Sequence, residues 1–133
     1  IALKDQVVAI GETGLDYSRI EKETEVLTQQ QRFRHHIWAA KKIDKPIIIH
    51  TRDAKQDTIR IMQEESAGEC AGVLHCFTED WEMAKQALDL GFYISFSGIV
   101  TFKNAKQVQE VAKKVPNGRI KRFILRRHST NEC

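Results

Sequence analysis

The sequence predicts an α/β fold of serial βα units with a parallel sheet, and three observations predict it. The first is Pro46-Ile47-Ile48-Ile49-His50-Thr51-Arg52-Asp53, a short aliphatic run that ends in a polar cluster. Continuous apolar residues without alternation are the pattern of a parallel strand covered on both faces. Pro46 suits the first position of such a strand, where its missing N–H costs no ladder bond. The second is that the pattern of apolar run and polar end returns at Gly72-Val73-Leu74-His75-Cys76-Phe77 and at Phe92-Tyr93-Ile94-Ser95-Phe96. The third is that helical periodicity fills the intervals, as serial βα units require. Right-handed crossovers would then bring every strand end to one rim, the edge at which α/β proteins bind ligands and do chemistry.

In chain order, Val7-Val8-Ala9-Ile10 is expected as the first strand. It runs into Gly11-Glu12-Thr13-Gly14-Leu15-Asp16-Tyr17, where two glycines permit tight turns. Glu21 to Ile43 reads as a long helix with Thr24 near its start. Val26, Gln30, Phe33, Ile37 and Ala40 recur at three- and four-residue steps, the helical period. His35 and His36 lie on this helix and read as surface or boundary residues, since no second histidine follows at i+4. Asp44-Lys45-Pro46 ends it.

After the strand at Pro46–His50, a second helix is expected around Gln56–Glu65, with Ile59 and Met62 inward and Ser66-Ala67-Gly68 as its stop. The third strand, Gly72–Phe77, leads to Thr78-Glu79-Asp80, a helix start with Thr78 as the cap. Met83, Ala84, Ala87, Leu88 and Leu90 form that helix's inner side and Gly91 stops it. The fourth strand, Phe92–Phe96, is followed by Ser97-Gly98. Ala105–Val115 is the fourth helix, with Val108, Val111, Ala112 and Val115 inward, and Arg119–Leu125 begins a fifth strand.

The chain has 133 residues, 41% hydrophobic and 29% charged, which fits one soluble domain or part of a larger one. The longest aliphatic run, Pro46–Ile49, is far short of the about 20 residues that cross a bilayer, so no membrane association is expected. The opening Ile1-Ala2-Leu3-Lys4-Asp5 lacks the pattern of a signal peptide, and without Met it reads as a cut edge. Cys70, Cys76 and Cys133 form no CxxC pair, which points to a reducing cytoplasm. Of the net charge of +3, residues 119–133 carry +4 and the remainder −1. The hint of a polyanion partner therefore comes from the tail alone.

Glu12, His50 and His75 are the strand-end groups that matter chemically. Carboxylate and imidazole are natural ligands for zinc, manganese or nickel, and three ligands with an open position suit hydrolysis. The plainer readings are a solvated loop carboxylate and hydrogen-bonded boundary histidines. Arg52 offers a fork of donors to a phosphate, or a salt bridge to Asp53 or Asp57. Ser97 and Gly98 offer a hydroxyl and backbone donors, or a plain turn. Cys76 reads as core packing; as a strand neighbour of His75 it should point to the opposite face and form no Cys–His pair.

Gly11-Glu12-Thr13-Gly14-Leu15-Asp16-Tyr17, His50-Thr51-Arg52-Asp53-Ala54, Leu74-His75-Cys76-Phe77 and Gly91-Phe92-Tyr93-Ile94-Ser95-Phe96-Ser97-Gly98 resemble, in order and spacing, the TatD family of metal-dependent deoxyribonucleases. The resemblance runs from about Val7 to Ile120. It implies a TIM-barrel metal-hydrolase fold, here a partial barrel, with one or two divalent ions: zinc, manganese, magnesium or nickel. It implies cleavage of DNA or another phosphodiester, with Glu12, His50 and His75 as catalytic metal ligands and Glu12 a bridge between two ions; Arg52 and Ser97 stay the substrate contacts expected from their donors.

Two departures qualify the resemblance. The family carries a His-x-His pair on its first strand, and none precedes Val7. The family also carries a late Asp in a Glu-Thr-Asp-Ser-Pro-like stretch, whereas here Lys121–Cys133 is basic and unlike it. The sequence thus divides into a TatD-like region, 1–120, and a tail, 121–133, whose abrupt change suggests a frameshifted or truncated reading frame. A complete barrel has about 250 residues and eight strands. Roughly five strands leave open edges through which copies could associate. Two classes of function follow: a TatD-like phosphodiesterase impaired in this chain, or a catalytically inactive fragment or interaction module of that fold. A metallohydrolase acting on an amide or ester is a third reading, which Arg52 mildly disfavours.

Overall fold

The computed structural model describes residues 7–121. Five strands, β1 (Ile10–Asp16), β2 (Ile47–Arg52), β3 (Gly72–Leu74), β4 (Tyr93–Ser95) and β5 (Ile120–Lys121), pair in parallel in the order β1-β2-β3-β4-β5. Four helices connect them: α1 (Glu23–Lys42), α2 (Lys55–Glu64), α3 (Trp81–Asp89) and α4 (Lys106–Lys114). Sequential order with one crossover hand places all four helices on the same side, which is how a barrel wall is built. The expected α/β partial barrel is what the chain forms, with β1 and β5 at the two ends of the described sheet.

The helix-covered face holds the core. Leu15, Ile47, Ile49, Leu74 and Ile94 meet Phe33, Ile37 and Ala40 of α1, Ile59, Ile61 and Met62 of α2, Met83, Ala84 and Ala87 of α3 and Val111 of α4. Burial of each large aliphatic side chain contributes about 1.5–3 kcal/mol. The other face is less covered than a strand buried on both sides requires. β2 alternates, with Ile47 and Ile49 buried and Ile48 and His50 only partly so, because the helices cover one side alone.

The first strand begins later than its β-branched residues suggest. Val7–Ala9 precede β1, and Val8 is exposed. Their would-be partner is the Asp44-Lys45-Pro46 turn, so pairing starts where the Ile10 N–H donates to the Pro46 carbonyl at 2.9 Å. The Gly11–Asp16 motif is therefore strand and not the turn after one. A bulge between Ile10 and Thr13 sets its register, after which Thr13, Gly14, Leu15 and Asp16 lie opposite Ile49, His50, Thr51 and Arg52. Beyond β1, the Tyr17 hydroxyl donates to Asp57 Oδ2 at 2.9 Å and Gln30 donates to both, which ties β1, α1 and α2 together.

β3 ends at Leu74 and β4 at Ser95, so His75, Cys76 and Phe77 lie beyond their strand, as does Phe96 beyond β4. Residues 122–125 of the expected fifth strand, and the rest of the tail, lie outside the described residues. The cap of α3 is Asp80 and not Thr78: the Asp80 carboxylate accepts the Met83 N–H at 3.0 Å and also pairs with Lys55. The Lys55 ammonium, then the Met83 N–H, hold the Asp80 carboxyl below its ordinary pKa against the pull of burial. This contribution is complete above the ordinary aspartate range and is lost as pH falls through the lowered value. Asp80→Ala should cost about 1–2 kcal/mol at neutral pH, read by urea unfolding. The gap from wild type should shrink in acid, and a gap that widens there would contradict the assignment.

Candidate metal centre

The bulge and the glycines of β1 bring Glu12 to His50. Glu12 is exposed on β1, and its Oε1 stands 3.5 Å from His50 Nδ1. That ring nitrogen is enclosed and has no hydrogen-bond partner. On β2 it lies on the less covered face, since Ile49 and Thr51 to either side point into the helices. An enclosed imidazole nitrogen facing a carboxylate, without a hydrogen bond between them, is a donor pair that suits a borderline divalent cation.

His75 does not complete that pair. It follows β3, its backbone N–H donating to the Ile49 carbonyl at 2.7 Å, and its Nε2 lies 3.1 Å from Cys76 Sγ. Among the described residues no three His, Cys, Asp or Glu side chains gather closely enough to hold an ion. The three expected ligands are thus a juxtaposed pair, Glu12 and His50, with His75 at the next strand end. The opposed orientation expected for His75 and Cys76 does not hold. The strand has ended before them, and Cys76 takes a left-handed φ of 49° that swings its thiol to the imidazole while leaving it buried.

Arg52 ends β2, exposed and in register with Asp16. Burial raises the Asp16 carboxyl, but hydrogen bonds from Ser18 and the charges of Arg52 and His50 outweigh it, so its pKa lies below the ordinary range. Asp57, one of two salt-bridge partners expected for Arg52, is bound by Arg60 at 2.8 Å. Ser97 precedes the turn Gly98–Thr101 and makes no capping bond to it.

Sequence reasoning missed three contributors. A cleft of about 400 Å³ beside Glu12 and His50 is lined on its far wall by Gln29, Arg32 and His36 of α1. His36 Nδ1 lies 2.6 Å from the Thr13 hydroxyl, and burial, then Arg32 and His35, hold its pKa below the ordinary value. The signal was spacing: residues at i, i+3 and i+7 share one helix face. A second cleft, of about 470 Å³, lies between Tyr17, Asp53, Lys55, Asp57 and Glu79, where burial, then Asp53 and Asp80, raise the Glu79 carboxyl.

The family model for TatD related DNase matches residues 1–120. The chain belongs to the TatD family. It is 56% identical over 120 residues to YcfH of Escherichia coli K12, named an uncharacterized metal-dependent hydrolase, covering 90% of this chain and 44% of YcfH. It is 30% identical over 117 residues to the human 3'-5' RNA nuclease TATDN2, covering 86% of this chain and 15% of that protein. The crystal structure of the TatD homolog YJJV from E. coli superposes with a TM-score of 0.77 at 26% identity, covering 86% of this chain and 43% of that one. The TatD chain described here spans less than half the length of these relatives. No described helix is long and apolar enough to cross a membrane.

Proposed function

We propose that this TatD chain carries part of the metal centre of a phosphodiester hydrolase acting on nucleic acid, DNA first. The observation that carries the reading is the Glu12–His50 pair, an oxygen and an enclosed nitrogen donor 3.5 Å apart on adjacent parallel strands. The donor chemistry fits a divalent ion, zinc or manganese before magnesium, and Glu12 and His50 are the residues that would hold it. A bound ion supplies an acidified water and polarises the phosphoryl oxygen. The remaining work belongs to side chains. Arg52 presents a guanidinium at the end of β2 to a non-bridging phosphate oxygen. His75 stands at the next strand end, outside the donor pair, and Ser97 approaches the substrate from beyond β4.

The phosphodiester class is what the family description, a DNase, and the human relative's name, an RNA nuclease, have in common. The cysteine pattern, with no CxxC pair, suits a reducing cytoplasm. Because the described residues assemble a donor pair and no set of three, the second reading also has an observation behind it. In that reading the chain binds without turnover and associates through the ends of its sheet.

The test is a labelled single-stranded DNA oligonucleotide incubated with the chain and manganese(II). Metal-dependent retention is expected, weakened at least about tenfold in Glu12→Ala and His50→Ala, with cleavage near background. Rapid cleavage abolished by His75→Ala would overturn the impaired-site reading in favour of a complete enzyme. Hydrolysis of an amide or ester substrate, with no DNA retained, would overturn the phosphodiester reading.

A further inference from the structure

The less covered face of the sheet holds a second orphaned polar atom. Ser95, at the C-terminal end of β4, is 1% exposed, and its hydroxyl has no hydrogen-bond partner. Its neighbour Ile94 points into the helix-side core, so alternation places Ser95 on the opposite face, the face that carries His50. Buried polar atoms without partners are rare and call for an explanation, of which a ligand is one.

The register puts the two orphans at one level. Ile49 pairs with Leu74 and Leu74 with Ile94. One residue further along each strand come His50, His75 and Ser95, abreast on β2, after β3 and on β4. Strands about 4.8 Å apart separate the His50 and Ser95 backbones by about 10 Å, with the His75 position between. A buried hydroxyl and a buried imidazole nitrogen, both without partners and facing the same side, flank one position, where a phosphoryl group held through an ion on His50 would present an oxygen to the Ser95 hydroxyl. The Ser95 backbone is held in place, its carbonyl accepting the Phe77 N–H at 2.8 Å.

We propose that Ser95 is a substrate-contacting residue whose hydroxyl donates to a non-bridging oxygen of the phosphoryl group handled by the Glu12–His50 pair. The inference rests on the phosphodiester reading and adds to it a residue that neither the motif nor the metal chemistry requires. It makes Ser95, inside the sheet, a contact in addition to Ser97 on the loop beyond it. The geometry also accounts for a hydroxyl at a position where burial otherwise favours an aliphatic side chain.

The experiment is calorimetric titration of thymidine 5′-monophosphate into the full 133-residue chain with manganese(II) present, for wild type and Ser95→Ala, with the melting temperature of each recorded without ligand. Loss of one hydrogen bond to a charged oxygen predicts about tenfold weaker binding. Removal of an unpartnered buried hydroxyl predicts a ligand-free melting temperature equal to or above wild type. Equal binding by the two proteins would overturn the role of Ser95 and leave the phosphodiester reading standing. No binding by wild type would overturn both. A ligand-free melting temperature well below wild type would show that the hydroxyl serves the fold, and would overturn the proposal.

Discussion

Gly14→Ala is expected to remove about 3 kcal/mol or more of stability, a drop in melting temperature of about 12 °C or more for a domain of this size. Gly14 adopts a φ of +138°, and a Cβ added there would stand 1.8 Å from the His50 carbonyl oxygen. That oxygen belongs to the neighbouring strand's backbone, so no side-chain rotation relieves the overlap. The alternatives are to part β1 from β2 or to rotate the Gly14 peptide, and either breaks the ladder between Thr13 and Asp16. Displacing β1 also moves Glu12 away from His50, so Gly14→Ala should weaken metal binding with both ligands present. Gly118→Ala is the control, since a Cβ there meets nothing within 4 Å. Thermal unfolding followed by circular dichroism decides the matter, and equal costs for the two substitutions would refute the close-approach argument.

The same glycine shows why one part of the fold was hard to read. β2, α3 and α4 could be read from local pattern, because aliphatic runs and three- and four-residue spacing are properties of the segment itself. β1 was not readable that way. Its residues are Ile-Gly-Glu-Thr-Gly-Leu-Asp, poor in strand formers, and it is a strand because β2 pairs with it. The reverse error occurred at Val7–Ala9, strand-like in composition but level with a turn that offers no ladder. Whether Thr78 or Asp80 caps α3 depended on where the backbone enters the helix, and the Asp80 carboxylate is the one that accepts the Met83 N–H.

The candidate site divides along the same line. Glu12, His50 and His75 were legible because residue type and strand-end position both mark them. That only the first two meet depends on a bulge in β1 and on β3 ending one residue before His75. Cys76 was misplaced for that second reason: strand alternation was extended past the last strand residue. His36 has only its helical spacing with Gln29 and Arg32 to mark it, and Ser95 carries no local signal for chemistry. They stand out only once one is found against Thr13 and the other is found buried with its hydroxyl unbonded.

Adding zinc or manganese to the metal-stripped chain is expected to raise its melting temperature, and Glu12→Ala combined with His50→Ala to abolish the rise. At a metal concentration about 100 times the dissociation constant, a ligand that binds only the folded state adds about 2.7 kcal/mol. The two donors sit on β1 and β2, so an ion between them clamps the two strands at the end of the sheet where, among the described residues, β1 has a partner on one side only. His75→Ala should reduce the rise less than either of the other substitutions, because the described residues place no third donor with the pair. A rise that persists in the double variant would move the ion elsewhere, and a wild-type chain with no rise would remove the metal centre from these residues. The ordering of the three variants also separates binding from catalysis. Two protein donors suffice to hold an ion, whereas the hydrolytic zinc centres that generate hydroxide near neutral pH rely on three with a fourth position open. A chain that gains stability from metal but generates little metal-bound hydroxide is the behaviour this geometry predicts.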